Sequence, residues 1–132
     1  MENLWSPWRS HYVKSSSSDD GCFLCDLAGT REMSESNLVV ARRNHSFIVL
    51  NRFPYNAGHL LVVPNIHVGD LELLDADIAS ELMTSLQGAV RVVKTALNAH
   101  GVNVGMNLGS HAGAGVPDHL HIHLVPRWQG DT

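Results

Sequence analysis

Three imidazoles stand at alternate positions near the end of the chain: His119, His121 and His123, in the run HLHIHLVPRW (119–128). On a β-strand, side chains alternate between faces, so all three histidines would point one way and Leu120, Ile122 and Leu124 the other. The apolar set would anchor the strand against a core or helix while the histidines line an open face. Two chemistries fit such a cluster. Three imidazoles could hold a metal, as three-histidine catalytic zinc sites do. Alternatively, one ring could act as a nucleophile while its neighbours supply protons and hydrogen bonds. Just upstream, GSHAGAGVPDH (109–119) offers glycines whose backbone N–H groups can approach an anion closely. Placed directly before three histidines, that loop favours phosphoryl chemistry over a bare metal site.

A second chemically capable group is CFLC, which holds both cysteines of the chain, Cys22 and Cys25. In a reducing compartment a structural disulfide is disfavoured, which leaves metal binding, redox chemistry or plain burial.

The elements that must position these residues can be read from patterning. NLVVARR and SFIVLNR are β-branched runs joined by Asn44-His45, a dipeptide suited to a tight hairpin turn. LLVVP reads as a third strand after the Pro/Gly loop RFPYNAGH. Ile78, Leu82, Leu86, Val90, Val93 and Leu97 recur at helical spacing, so one long helix is expected from Asp75 to about Asn98, with Asp75 as N-cap and Gly101 as the stop. VNVGMNLG resembles a fourth strand and HLHIHLVP a fifth, while CFLCDLAG reads as a short helix closed by Gly29. Hairpin-connected strands with one long helix predict an α+β domain around an antiparallel sheet.

Composition bounds the function. The chain has 132 residues, 44% apolar and 17% charged, as a soluble globular domain has. A net charge of −4 offers no attraction to nucleic acid or an anionic membrane surface. No apolar run approaches the roughly 20 residues that span a bilayer, and MENLWSPWRSHYV lacks the pattern of a signal peptide. A cytoplasmic protein without nucleic-acid or membrane partners is expected. KSSSSDDG (14–21) reads as a flexible loop after an aromatic N-terminal arm, which divides the chain into residues 1–21 and a domain over 22–132.

HLHIHLV, VLNRFPYNAGHLLVVP (49–64) and GMNLGSHAGAG (105–115) together resemble the histidine-triad (HIT) family over most of the chain, from about Cys22 to Trp128. LWSPWR and HLVPRW are most similar to the branch related to diadenosine tetraphosphate phosphorylases and fragile-histidine-triad hydrolases. The resemblance implies a HIT-like α+β fold: a five-stranded antiparallel sheet with one long helix and a short N-terminal helix. It implies an enzyme, a nucleotidyl hydrolase or transferase acting on nucleoside polyphosphates or phosphoramidates at the α-phosphate. The alternative is a purine-nucleotide-binding regulator with little turnover.

Residue by residue, the resemblance makes His121 the nucleophile and gives a backbone carbonyl near His119 the proton on its other nitrogen. His123 would contact the phosphate, Asn51 the ribose, and Asn107, Gly113 and Gly115 the phosphate pocket. The family's side chains after AG are replaced here by AGVPD, so a leaving-group contact made there would pass to the backbone or be lost. Cys22, Cys25, His67 and His119 match a closed structural zinc set. A homodimer is also implied, with the long helix and fourth strand as its interface. Relatives commonly continue beyond the point where this sequence ends, WQGDT, with a segment that serves the dimer or the substrate pocket. His59 is expected to be a structural core histidine, and His11, His45, His100 and His111 surface residues. Trp5, Trp8 and Trp128 are expected to fill a core or pack on a partner.

Overall fold

The computed structural model describes residues 22–30, 32–34, 36–51, 58–113 and 118–131. The N-terminal arm with Trp5, Trp8 and His11, most of the RFPYNAGH loop, and Gly115 lie outside them. Five strands form one sheet: β1 (Val39–Arg42), β2 (Ser46–Leu50), β3 (Leu60–Pro64), β4 (Gly101–Gly105) and β5 (Ile122–Arg127), in the order β1-β2-β3-β5-β4. All neighbours are antiparallel. Helix α1 (Phe23–Gly29) precedes the sheet and helix α2 (Ala76–Ala96) crosses between β3 and β4.

β3 explains why the sheet is covered on both sides. Every residue of LLVVP is buried, and alternation sends the two halves of the set to opposite cores. Leu61 and Val63 join Leu24 of α1 with Val39, Phe47 and Val49. Leu60 and Val62 join Ile78, Leu82, Leu86, Ala89 and Val93 of α2 with Ile122 and Leu124 of β5. The helical spacing of apolar residues thus packs α2 on one face while the shorter α1 closes part of the other.

Polar ties fix the ends of these elements. Glu81 of α2 accepts from the backbone N–H of His45 at 2.9 Å and from the Ser46 hydroxyl, clamping the hairpin turn to the helix. Arg42 donates to the carbonyls of Leu27 at 2.8 Å and Glu32 at 2.8 Å, joining α1 to β1. At the other end of α2 the Trp128 indole donates to the carbonyl of Leu97 at 3.0 Å, so this tryptophan serves as a helix-end cap.

One boundary of α2 falls where expected and the other does not. Asp75 does occupy the N-cap, but its side chain makes no capping bond; its carbonyl accepts from Ala79 at 2.9 Å. The helix stops at Leu97 and turns through Asn98 in the left-handed region (φ 53°), leaving Gly101 to begin β4. Asparagine performs the turn because its short polar side chain tolerates that conformation. Among the described residues, no helix is long and apolar enough to cross a membrane.

Candidate active site

The histidine row forms at the entry to β5, not along it. The strand begins at Ile122, so His119 and His121 lie on the approach and only His123 within the ladder. Leu120, Ile122 and Leu124 are buried as the alternation predicts. The opposite side is not an open face, however: His119, His121 and His123 are all buried too. β5 is an interior strand flanked by β3 and β4, and each of the three rings packs on another histidine: His119 on His67, His121 on His123, and His123 on His59.

Sheet register gathers the rest. His123 pairs with Leu61 of β3 and with Gly105 of β4, so it shares the face on which α1 lies. Leu50 pairs with Leu60, and just beyond that pair the Asn51 N–H donates to the His59 carbonyl at 2.9 Å. Alternation from Val49 and Leu61 puts Asn51 and His59 on the same face as His123. The His59 and His123 ring centroids are 5.6 Å apart, and those of His121 and His123 4.9 Å in edge-to-face contact. His59 therefore belongs to the histidine cluster, a role its sequence position did not reveal. A cue was present in NAGHLLVVP, where odd positions from His59 fall on one face of the strand. Gly105 lies opposite His123 across the β4–β5 ladder, and a Cβ there would meet nothing within 4 Å.

Electrostatics keep these rings neutral. Burial, reinforced by His121, lowers His59 to about 4. Burial, with His121 and His59 adding, lowers His123 to about 2. His121 is likewise depressed by burial, against the opposing effect of its bond to His119. That bond is specific: His121 Nδ1 lies 2.9 Å from the backbone oxygen of His119. A carbonyl only accepts, so the proton sits on Nδ1 and the lone pair on Nε2.

His119 turns its side chain to a different cluster. Its Nδ1 lies 3.3 Å from Cys22 Sγ and 3.4 Å from Cys25 Sγ, while His67 Nδ1 is 3.2 Å from Cys25 Sγ. The four ligand atoms all lie within 4.8 Å of one another. A tetrahedral zinc with bonds of about 2.3 Å to sulfur and 2.0 Å to nitrogen holds such ligands roughly 3.5 Å apart, so the donor set fits the ion. The protonation pattern fits as well. His119 Nε2–H donates to the Pro64 carbonyl at 2.8 Å, which leaves the Nδ1 lone pair facing the sulfurs. Burial, then the adjacent Cys22, pushes the Cys25 thiol up to about 11 without a cation, the state that a bound divalent ion would reverse.

The remaining candidates are placed as follows. Asn51 is buried, with its Nδ2 3.1 Å from His59 Nδ1. Asn107 follows β4, and its Nδ2 has no hydrogen-bond partner among the described residues. Gly113 ends a single 3-10 turn (Ser110–Ala112) in the left-handed region at φ 92°, a conformation that requires glycine there. His45, His100 and His111 are exposed.

Comparisons with known proteins agree with this geometry. Over 138 aligned residues the chain is 42% identical to a Mycobacterium tuberculosis protein named AP-4-A phosphorylase, across 100% of this chain and 71% of that one. It is 31% identical, with a TM-score of 0.73, to a hypothetical histidine triad nucleotide-binding protein from Sulfolobus tokodaii, covering 83% of this chain and 71% of that one. A Zn-bound histidine triad family protein from Mycobacterium smegmatis superposes with a TM-score of 0.74 at 26% identity, over 85% of this chain and 78% of that one. The family model described as HIT domain matches residues 32–130, a span holding the whole sheet, α2 and the histidine row, and the chain accordingly belongs to the HIT-domain family.

Proposed function

We propose that this chain is a nucleotidyl hydrolase or transferase that cleaves nucleoside polyphosphates of the diadenosine polyphosphate type, or nucleoside phosphoramidates, at the α-phosphate through a nucleotidyl-histidine on His121. The observation that carries the reading is the 2.9 Å bond from His121 Nδ1 to the His119 carbonyl. It leaves an Nε2 lone pair on a ring that burial keeps neutral. Nε2 attacks the α-phosphorus, a P–N bond forms, and the P–O bond to the leaving polyphosphate breaks. The oxygen of water or of phosphate then attacks the same phosphorus. The P–N electron pair returns to Nε2, and a nucleoside monophosphate or diphosphate departs.

Charge developing on the phosphate oxygens needs donors in a water-poor site. His123, neutral through burial, serves as an N–H donor. Asn107 Nδ2 serves as a phosphate donor, and Asn51 reaches the ribose. Gly113 and Gly115 would let the chain approach the phosphates closely, although the Gly113 N–H itself donates to the Ser110 carbonyl at 3.0 Å. His119 contributes through its carbonyl. The homology to the protein named AP-4-A phosphorylase supports this substrate class.

Cys22, Cys25, His67 and His119 would hold zinc as a closed four-ligand site, supplying a cross-link between α1, the segment after β3 and the entry to β5. Because two of the four ligands precede residue 32, the working domain is taken as 22–132. A second copy of the chain would cover α2 and β4. Among the described residues β4 ends the sheet with no strand on one edge, and Val104 of β4 and Met83 and Val92 of α2 are exposed. The reading places this homodimer in the cytoplasm, with a purine nucleotide as substrate and no nucleic-acid or membrane partner.

Mass spectrometry of products from diadenosine tetraphosphate tests the proposal. AMP and ATP are expected with water as acceptor, or ADP and ATP when phosphate is added and accepted. Tight nucleotide binding without either product would overturn the enzyme reading in favour of a binding protein.

A further inference from the structure

Asn51 and His59 face each other across the end of the β2–β3 ladder, tied by main chain and by side chain. Both are almost fully enclosed, at 3% and 2% exposure. The side-chain bond has a direction that chemistry dictates. An amide nitrogen only donates, so Asn51 Nδ2, 3.1 Å from His59 Nδ1, requires that Nδ1 be the accepting, unprotonated nitrogen. A neutral His59 then carries its one ring proton on Nε2, which is itself buried. The ring packed against it is His123, at 5.6 Å between centroids and tilted by 59°.

We propose that Asn51 is a positioning residue that fixes His59 as the Nε2–H tautomer, and so supplies a permanent N–H donor edge beside the His121–His123 pair. This inference rests on the reading of His121 as a nucleophile toward phosphorus. The physical reason is the sign of the dipole. Attack places negative charge on phosphate oxygens, which an N–H stabilises and a nitrogen lone pair repels. An imidazole without a partner would sample both tautomers, whereas a buried amide bond selects one before substrate arrives. His59 transfers no proton in this scheme, and its burial keeps the ring uncharged. This role belongs to the amide nitrogen of Asn51 and is separate from the proposed ribose contact.

Three variants separate these roles. Asn51→Asp keeps the shape and the acceptor oxygen for a ribose, but a carboxylate accepts where the amide donated. Nδ1 of His59 must then gain a proton. Nitrogen-15 NMR of the histidine rings should show wild-type His59 with an accepting Nδ1 and the Asp variant with Nδ1 protonated. In the Asp variant kcat should fall by about tenfold or more while KM changes little. His59→Gln places an amide donor near the position of Nε2 and should retain more kcat than His59→Leu. In the His59→Gln background Asn51→Asp should add only about a twofold loss, since no tautomer remains to invert.

A wild-type His59 protonated on Nδ1 overturns the proposal, and so does an Asp variant that raises KM with kcat intact, the mark of a ribose contact alone. A wild-type protein without turnover would instead refute the proposed function, while the wild-type NMR signature would still decide the tautomer.

Discussion

His119 and His121 are joined through the main chain: the Nδ1–H of His121 donates to the carbonyl oxygen of His119 at 2.9 Å, while the side chain of His119 faces two cysteines and His67. One residue therefore serves both the orientation of His121, the proposed nucleophile, and the cysteine–histidine cluster.

Replacing His121 by asparagine should keep the fold and nucleotide binding yet lower kcat by on the order of a thousandfold or more, because an amide of similar size does not attack phosphorus. Single-turnover kinetics and calorimetric binding on the same preparation would check both halves. A kcat near wild type would end the proposed mechanism.

Purified protein prepared without chelator should hold about one zinc per chain, bound by Cys22, Cys25, His67 and His119. Cys22→Ser should release it and lower Tm by roughly 5–10 °C, since metal binding adds to folding free energy. Elemental analysis that finds no metal in the wild type would remove the zinc site.

Gly58 sits at φ 78°, where an added Cβ would collide with Leu97 Cδ1 and crowd Pro126 Cγ at 3.2 Å. Gly58→Ala should cost about 1–3 kcal/mol from backbone strain and overpacking together. Truncating Leu97 to alanine in that background should recover only part of the loss, because the strain at φ remains. Urea unfolding of the two variants would measure this; full recovery would show that the collision alone matters.

Acid should weaken the fold through His59 and His123. In the unfolded chain both titrate near 6.5, whereas burial holds the folded values to about 4 and about 2. The unfolded state therefore binds more protons between these limits. Stability is complete above pH 6.5 and falls as pH drops, by up to about 1.4 kcal/mol per pH unit for each ring. Urea midpoints at pH 7 and pH 5 should show the loss, and His59→Gln should flatten the slope. An unchanged slope in that variant would contradict a neutral, buried His59.

Light scattering should report a mass near two chains, against 14.4 kDa for one. Val104, 46% exposed on β4, is the position to test, and Val104→Glu should yield a folded monomer. A wild-type monomer at micromolar concentration would refute the dimer.

Periodicity alone determined much of this protein. The apolar spacing from Ile78 to Val93 specified α2, because only a helix brings those residues to one face. The β-branched runs around Asn44-His45 specified a hairpin, and LLVVP a strand buried on both sides. The histidine row and the Cys22-x-x-Cys25 pair were visible because rare residue types at fixed spacing stand out in a single sequence.

Tertiary structure decided what such local patterns cannot encode. Alternation predicted three histidines on one strand face, yet β5 starts only at Ile122, and burial on both sides of the sheet replaced the expected open face. The helix stop passed from Gly101 to Asn98 because the chain had to reverse early enough for Gly101 to pair with Arg127. His59 read as a core histidine until register set it opposite Asn51 and beside His123. Cys22 and His119 lie 97 positions apart, and only packing of α1 against the sheet brings them to 3.3 Å. Local propensity acts over one turn or one strand, whereas the pairing of β2, β3 and β5 fixes which distant side chains share a face.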